Sequence, residues 1–150
     1  MLKGIKGYIA GIIDGEGCIY MRKTIEKNQK NFHYTIALTV NNTNYDVIKF
    51  LKEKCKGGYI QIHKSVNPCH KTQWKWEIKN QMASNLLEMI YPFLIIKKKQ
   101  ANLVIKFQKH KRKYFKKLLF HFGYSKIRSI SSKELKYRDK IQNKLKQLNA

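Results

Sequence analysis

Two carboxylates lie within a glycine-rich segment near the start of this chain, where Asp14-Gly15-Glu16-Gly17 directly follows the apolar run from Tyr8 to Ile13. The apolar run predicts a helix that ends at the carboxylates. A helix C-terminus carries a partial negative charge, which opposes acidic side chains and attracts cations. Glycine lets the chain leave a helix sharply and lets another group approach the backbone closely. The segment therefore indicates a cation site; the alternative is an ordinary buried helix that ends in a glycine-rich turn.

The predicted helix presents two different faces. Four apolar side chains recur at helical spacing and predict the face that packs on a core; they are Ile5, Tyr8, Ile9 and Ile12. Another side carries small residues, and each interior glycine costs a helix about 1 kcal/mol relative to alanine. Close packing of two helix backbones would explain these glycines, and the same helix of a second subunit is the natural partner. The predicted homodimer interface consists of Gly7, Ala10, Gly11 and Asp14. For Asp14 the expected partners are either backbone groups or groups of the subunit interface.

The rest of the chain alternates between β-rich and helical patterns. Strands are predicted over 18–25, 33–42, 59–64 and 72–78, with a polar turn at 26–31 and a loop that contains Pro68. A helix capped by Asn44 or Asp46 follows the second strand and is broken at Gly57-Gly58. Helices are also predicted over about 80–91 and about 97–122. Ser131 and Glu134 resemble a capping box that opens a last helix, whose thin apolar face comprises Leu135, Ile141, Leu145 and Leu148.

The non-core faces of the predicted strands carry hydrogen-bonding side chains of mixed donor and acceptor type. Recognition of base edges in the DNA major groove requires such a mixture, and a two-stranded ribbon fits that groove. The alternative is a solvated sheet face. The predicted DNA-binding residues are Tyr20, Arg22, Thr24, Thr35, Thr39, Asn41, Gln61, His63, Gln73 and Lys75.

The composition favours a nucleic-acid partner and a folded body. The chain has 32 Lys and Arg against 9 Asp and Glu, a formal net charge of +23, with 43% hydrophobic residues. No apolar run is long enough to span a membrane, and nothing indicates a small-molecule substrate. Met1 leads directly into the first helix, so no signal or transit peptide is expected, and three cysteines of unmatched spacing favour a reducing compartment. We expect an intracellular protein of a microbial cytoplasm or an organelle matrix.

Two blocks of the sequence resemble the LAGLIDADG homing endonucleases. Residues 9–17 resemble the family signature at all nine positions, and residues 92–103 resemble the later segment in which a lysine precedes Lys-Gln-Ala. A single signature copy is typical of the homodimeric members. The resemblance implies an α/β (α+β) fold with an αββαββα core over 1–122 and a four-stranded antiparallel DNA-binding sheet. Residues 123–150 would form a C-terminal helical extension packed on the same domain.

The resemblance also implies a reaction and the residues that perform it. Family members make a double-strand break in a long pseudo-palindromic DNA target by metal-dependent phosphodiester hydrolysis. Glu16 would be the ligand of Mg²⁺, assisted by the carbonyl of Gly15, and other divalent ions such as Mn²⁺ or Ca²⁺ could occupy the site. Lys97 matches the catalytic lysine, and Asn44 falls where relatives place a glutamine that positions water. The alternative is a non-cleaving RNA-splicing maturase or DNA-binding regulator of the same fold.

Overall fold

The computed structural model describes residues 1–25, 32–65, 71–122 and 130–150, with the side chains of 119–122 left aside. The polar turn at 26–31, the loop with Pro68 and the domain boundary at 123 fall outside the described residues. The elements are α1 (Lys3–Glu16), β1 (Gly17–Ile25), β2 (Phe32–Asn42), α2 (Tyr45–Lys54), β3 (Tyr59–His63), β4 (Gln73–Lys79), α3 (Asn80–Ile90), a 3₁₀ turn (Tyr91–Phe93), α4 (Lys98–Phe122) and α5 (Ser132–Asn149). The predicted order of helices and strands is confirmed.

The four strands form one antiparallel sheet, as predicted, and their order in it is β1-β2-β4-β3. Alternation of side chains across each strand separates an apolar face from a polar one. In β2 the apolar set is fully or almost fully buried and packs with the helices in one core; it comprises Tyr34, Ile36, Leu38 and Val40. The helices therefore cover one face of the sheet, and the other face keeps its polar side chains.

The predicted core face of α1 is correct at Ile5, Ile9 and Ile12, which lie in or against the core, but not at Tyr8. Ile9, Ala10 and Ile13 have no exposed surface, whereas Tyr8 is 57% exposed and rests edge-on against Phe50. The prediction of Tyr8 as a core residue was wrong because α1 is apolar on most sides, so helical spacing alone fits more than one face. Packing on the sheet selects the face that runs through Ile9 and Ile13.

Local interactions fix both the start of α2 and the turn between α2 and β3. Asn44 caps α2, since its side-chain oxygen accepts a hydrogen bond of 2.9 Å from the backbone nitrogen of Asp46. After the helix, Gly58 has φ +94°, and a Cβ there would lie 2.4 Å from the indole nitrogen of Trp76. The same indole nitrogen donates to the carbonyl of Gly57 at 2.9 Å. Glycine is required at 58 both by its backbone conformation and by the close approach of Trp76.

Helix α5 covers the free edge of β1. Gln142 donates a side-chain hydrogen bond to the carbonyl of Met21 at 3.0 Å, and Asn149 donates one to the carbonyl of Ile19 at 2.8 Å. Asp139 accepts from Lys23 and from Tyr34 at 2.8 and 2.7 Å. An uncovered edge strand offers unpaired backbone groups to other chains, so this helix both docks on the sheet and protects its edge.

The thin apolar face predicted for α5 meets the core through Leu135, Ile141 and Leu145, but most of the buried side chains of this helix are polar. Leu145 enters the core, but the side chains buried beside it along the helix are Glu134, Arg138 and Gln142. Glu134 accepts from Arg138 at 2.7 Å and pairs with His110 of α4 at 2.8 Å. Buried charges are tolerated when they are paired in this way. Within the described ranges, the helices include none that combines the length and apolarity of a membrane span.

Candidate active site and nucleic-acid interface

The side chain of Asp14 joins two segments that lie 83 residues apart in the chain. Its carboxylate accepts hydrogen bonds from the backbone nitrogens of Ile95 and Lys97, at 2.7 and 2.9 Å. The ammonium of Lys97 in turn donates to the backbone carbonyl of Asp14 at 2.5 Å. We call this arrangement the Asp14 clamp. It places the ammonium of Lys97 against the last turn of α1, at Asp14, which lies two residues before Glu16 in the sequence.

Glu16 is the last residue of α1 and is exposed. Gly17 follows it, and a Cβ at this position would lie 2.5 Å from the carbonyl oxygen of Ile13. Any other residue would push the strand away from the helix end, so the glycine lets β1 begin directly after Glu16. The helix C-terminus, the exposed carboxylate and the start of the sheet are therefore held together.

The chain by itself provides few ligands for a cation at this place. In the part of the chain that the structure describes, no group of three or more His, Cys, Asp or Glu side chains could hold a metal ion. Glu16 and the backbone oxygen of Gly15 are the donors that the family resemblance implied. Magnesium accepts such a site, because it binds one or two carboxylates and takes its remaining oxygens from water and phosphate.

Asn44 lies at the start of α2, where its side-chain oxygen is used in capping. Its own backbone nitrogen donates to the side chain of Asn42 at 2.8 Å. Among the described residues, no hydrogen bond connects Asn44 with Glu16 or with Lys97. Its predicted catalytic role remains a prediction, and capping accounts for the residue independently.

The predicted interface of α1 is available only in part. Apart from the adjacent residues and the backbone of α1 itself, no described atom lies within 4 Å of a Cβ built on Gly4, Gly11 or Gly15, and one on Gly7 would meet Phe93 at 3.9 Å. These glycines form an open surface that we call the glycine face. Two residues assigned to the interface do not belong to it, because Ala10 is wholly buried in the core and the carboxylate of Asp14 is used within the chain.

The strand register places all ten predicted DNA-binding residues on the polar face of the sheet. Cys18, Tyr20, Arg22 and Thr24 of β1 pair in turn with Thr39, Ala37, Thr35 and His33 of β2. The remaining positions follow from the pairs that β4 makes with its two neighbours. Thr39 is only 4% exposed because its neighbours cover it, so the direct base contact predicted for this residue is withdrawn. Cys18 is also exposed on this face, although it was not among the predicted DNA-binding residues.

Glu77 is a charged residue of the polar face that the sequence analysis did not single out. It lies on the polar face between Thr39 of β2 and Tyr59 of β3 and is only 5% exposed. Its carboxylate accepts a hydrogen bond of 3.0 Å from the Tyr20 hydroxyl, and Lys79 lies 3.5 Å away. Burial, and then the bond to Glu77, raise the pKa of Tyr20. Alternation with Trp76 and Ile78 indicates the face of Glu77, but no signal in the sequence pairs it with Tyr20.

Comparison with known proteins identifies the family. A sequence model described as LAGLIDADG endonuclease matches residues 9–102. This chain belongs to that family. The matched region contains Glu16, Asn44, Lys97 and the whole sheet, and it ends near the start of α4.

The relatives include DNA endonuclease I-CreI of Chlamydomonas reinhardtii, which is 32% identical over 104 residues. That alignment covers 66% of this chain and 59% of the endonuclease, so it spans less than two thirds of the relative's length. The homing endonuclease I-CvuI in complex with its target and calcium has the same fold, with a TM-score of 0.73 at 17% identity, over 96% of this chain and 81% of that one. A second I-CvuI structure, with an I-CreI target left uncleaved in magnesium, gives a TM-score of 0.69 at 17% identity, over 97% and 82% of the two chains.

Proposed function

We propose that this chain is a site-specific DNA endonuclease that works as a homodimer and hydrolyses both strands of a pseudo-palindromic duplex. The Asp14 clamp is the observation that carries the proposal. It holds the Lys97 ammonium on the backbone carbonyl of Asp14, two residues before the exposed Glu16 and close to the start of β1. A pure DNA binder needs neither a cation-binding carboxylate nor a fixed lysine at this helix end, on a face that otherwise favours positive charge.

The site fits a divalent metal ion, and Mg²⁺ is our proposed cofactor. Glu16 offers an exposed carboxylate at a helix C-terminus, where a cation is stabilised by the helix dipole. With the carbonyl of Gly15 it gives a hard oxygen donor set, which DNA phosphate oxygens and water would complete. When bound, the metal would activate water for attack on the phosphodiester and neutralise the charge that develops there.

Lys97 has an electrostatic role in this proposal. Its ammonium donates to the carbonyl of Asp14, which fixes the side chain at the helix end, and it keeps two further protons to donate. A cation held in place stabilises the negative charge that builds up on the phosphate during cleavage, without any reorganisation at that moment. Asp14 is then a positioning residue that acts through the segment around Lys97.

The homodimer follows from the glycine face. The surface of α1 is open at Gly4, Gly11 and Gly15, so the backbone of a second helix could approach it closely. A two-fold pair of α1 helices would bring two copies of Glu16 together at one end, one for each DNA strand. Each subunit would then present its polar sheet face to one half-site.

Binding to duplex DNA is supported by the charge and by the sheet. A net charge of +23 would neutralise many phosphates, while the side chains of the sheet would contact base edges in the major groove. Exposed Cys18 and half-buried Cys55 are both free thiols, which supports a reducing intracellular compartment.

The proposal is tested with duplexes that span the uninterrupted insertion site of the protein's own gene. Specific binding should weaken by about 10³- to 10⁵-fold between 50 and 200 mM salt if roughly six to ten phosphates are contacted. Addition of Mg²⁺ should then produce a double-strand break. Binding that does not respond to salt would contradict the nucleic-acid interface, and specific binding without cleavage would favour the non-cleaving binder.

A further inference from the structure

A depression of about 250 Å³ opens on the polar face of the sheet, across β1, β2 and β4. Its walls include Tyr20, Arg22, Thr35, Glu77 and Lys79. Most of the groups around it are donors or neutral, as expected on a surface that faces DNA. The carboxylate of Glu77 is unusual there, because a negative charge opposes phosphate.

The hydrogen bond between Tyr20 and Glu77 fixes the position of one proton. A tyrosine hydroxyl has a single proton and two lone pairs, whereas a carboxylate only accepts. The 3.0 Å bond therefore commits the Tyr20 proton to Glu77. A tyrosine hydroxyl keeps its proton at neutral pH, and burial and then this bond raise the pKa of Tyr20 further. What the Tyr20 oxygen still offers toward the depression is a hydrogen-bond acceptor.

Glu77 is placed to orient Tyr20 and not to touch a base itself. It is 5% exposed, and its second oxygen faces the ammonium of Lys79 at 3.5 Å. Tyr20 is half-buried, and the guanidinium of Arg22 lies 5.9 Å from the centre of its ring. The ring is thus supported by Arg22 on one side, while Glu77 sets the direction of the hydroxyl.

We infer that Tyr20, oriented by Glu77, determines base specificity at one position of each half-site by accepting a hydrogen bond from an amino group. In the major groove adenine and cytosine present amino groups, whereas guanine and thymine present only acceptors. An acceptor-only hydroxyl pairs with the first two bases and opposes the oxygens of the others. This inference rests on the proposed function and adds the chemical class of base that this part of the sheet selects.

The test measures base preference at every position of the half-site, by competition binding with a library of singly substituted duplexes. The wild-type protein should prefer adenine or cytosine at one position by about 5- to 10-fold, the effect of a single hydrogen bond. Tyr20→Phe should abolish that preference and leave the other positions unchanged. Glu77→Gln should abolish it as well. The amide group of glutamine can donate to the Tyr20 oxygen, so the Tyr20 hydroxyl could then turn its own proton toward a base and act as a donor.

The double variant separates orientation from contact. If Glu77 acts through Tyr20, then Glu77→Gln in the Tyr20→Phe background should produce no further change in base preference. Tyr59→Phe is the matched control, since Tyr59 is the cross-strand neighbour of Glu77 and is 71% exposed on the same face. It should leave the preference at the Tyr20 position intact. Thermal melting of each variant shows that the preference is lost without loss of folding.

Two outcomes contradict the inference in distinguishable ways. If the wild-type protein discriminates between bases but Tyr20→Phe keeps the same profile, Tyr20 is no specificity residue and the proposed function stands. If the wild-type protein shows no base preference at any position, the proposed site-specific function fails and the inference fails with it.

Discussion

Replacement of Asp14 by asparagine tests the clamp that assembles the site. The wild-type carboxylate is 9% exposed and accepts two backbone hydrogen bonds, from Ile95 and Lys97. Asparagine has the same shape but only one acceptor oxygen. Its amide nitrogen is a donor and would face the second backbone N–H, which is also a donor, so that half-buried N–H would lose its partner.

The size of the effect follows from these two bonds. Hydrogen bonds to a charged acceptor contribute about 1.5–3 kcal/mol each, whereas neutral ones contribute about 1 kcal/mol. Asp14→Asn loses one bond and weakens the other, so the free energy of unfolding should fall by roughly 2–4 kcal/mol. For a chain of this length that corresponds to a decrease in Tm of roughly 4–16 °C. Cleavage should slow as well, because the segment that carries Lys97 is no longer held.

Urea unfolding at fixed protein concentration measures this change, since dimerisation makes apparent stability depend on concentration. Asp46→Asn is the matched control, because it removes the same charge from an exposed position in the first turn of α2. The control should cost at most about 1 kcal/mol, the helix-dipole contribution of an exposed carboxylate. A loss for Asp14→Asn no larger than that of the control would refute the clamp.

Three further predictions follow from the same structure. Lys97→Met should slow single-turnover cleavage by about 10²- to 10³-fold while DNA binding in a filter assay is retained, because one electrostatic stabiliser is lost; unchanged cleavage would remove Lys97 from the site. Gly11→Leu should give monomers in sedimentation equilibrium without loss of folding, since that position faces open space within the chain and a leucine there would separate two helices; a persistent dimer would place the interface elsewhere. Burial raises the pKa of Cys55 from its ordinary 9.0 to about 12, so a thiol reagent at pH 8 should modify exposed Cys18 well before Cys55. Because the folded-state pKa of Cys55 is the higher one, its contribution to stability is complete below pH 9 and is lost as the pH rises toward 12.

The sheet was predictable from the sequence because β2 and β4 alternate cleanly, although β1 does not. In β2 the apolar residues Ile36, Leu38 and Val40 occupy every second position, and this alternation assigns the two faces of the strand without any tertiary information. The strand order β1-β2-β4-β3 was not part of the prediction, since periodicity says which face a residue occupies and nothing about which strand lies beside it.

The helices were harder, because their faces depend on partners that are distant in sequence. On α1 the apolar pattern fits several faces, and contact with the sheet decides for Ala10 and against Tyr8. On α5 the apolar face was predicted, but the buried residues also include Glu134 and Arg138, and Glu134 contacts His110 of another helix. Such polar contacts leave no periodic signal, so the sequence did not predict the polar part of this face.

The sequence motif predicted where the candidate site lies, but it did not predict the contacts within the site. The sequence assigned Asp14 to backbone or subunit-interface groups and singled out Lys97 separately; the two carboxylate bonds that connect them exist only in the folded chain. The capping box of α5 is a similar case. The Ser131 hydroxyl accepts from the backbone of Glu134 at 3.3 Å as predicted, but the Glu134 side chain turns to Arg138 and His110. The Glu134 side chain therefore bonds to residues of the folded core and not back to its own N-cap.

Cleavage by Glu16→Gln tests the central claim most directly. Glutamine keeps the size of the side chain but removes the charge that would hold a divalent ion at the end of α1. The variant and the wild-type protein are incubated with the same labelled target duplex in Mg²⁺, and binding and strand scission are measured side by side. Binding should be equal or tighter, because a negative charge near phosphate is gone, while cleavage should fall by several orders of magnitude. Scission by Glu16→Gln at the wild-type rate would contradict the account and remove Glu16 from the catalytic site.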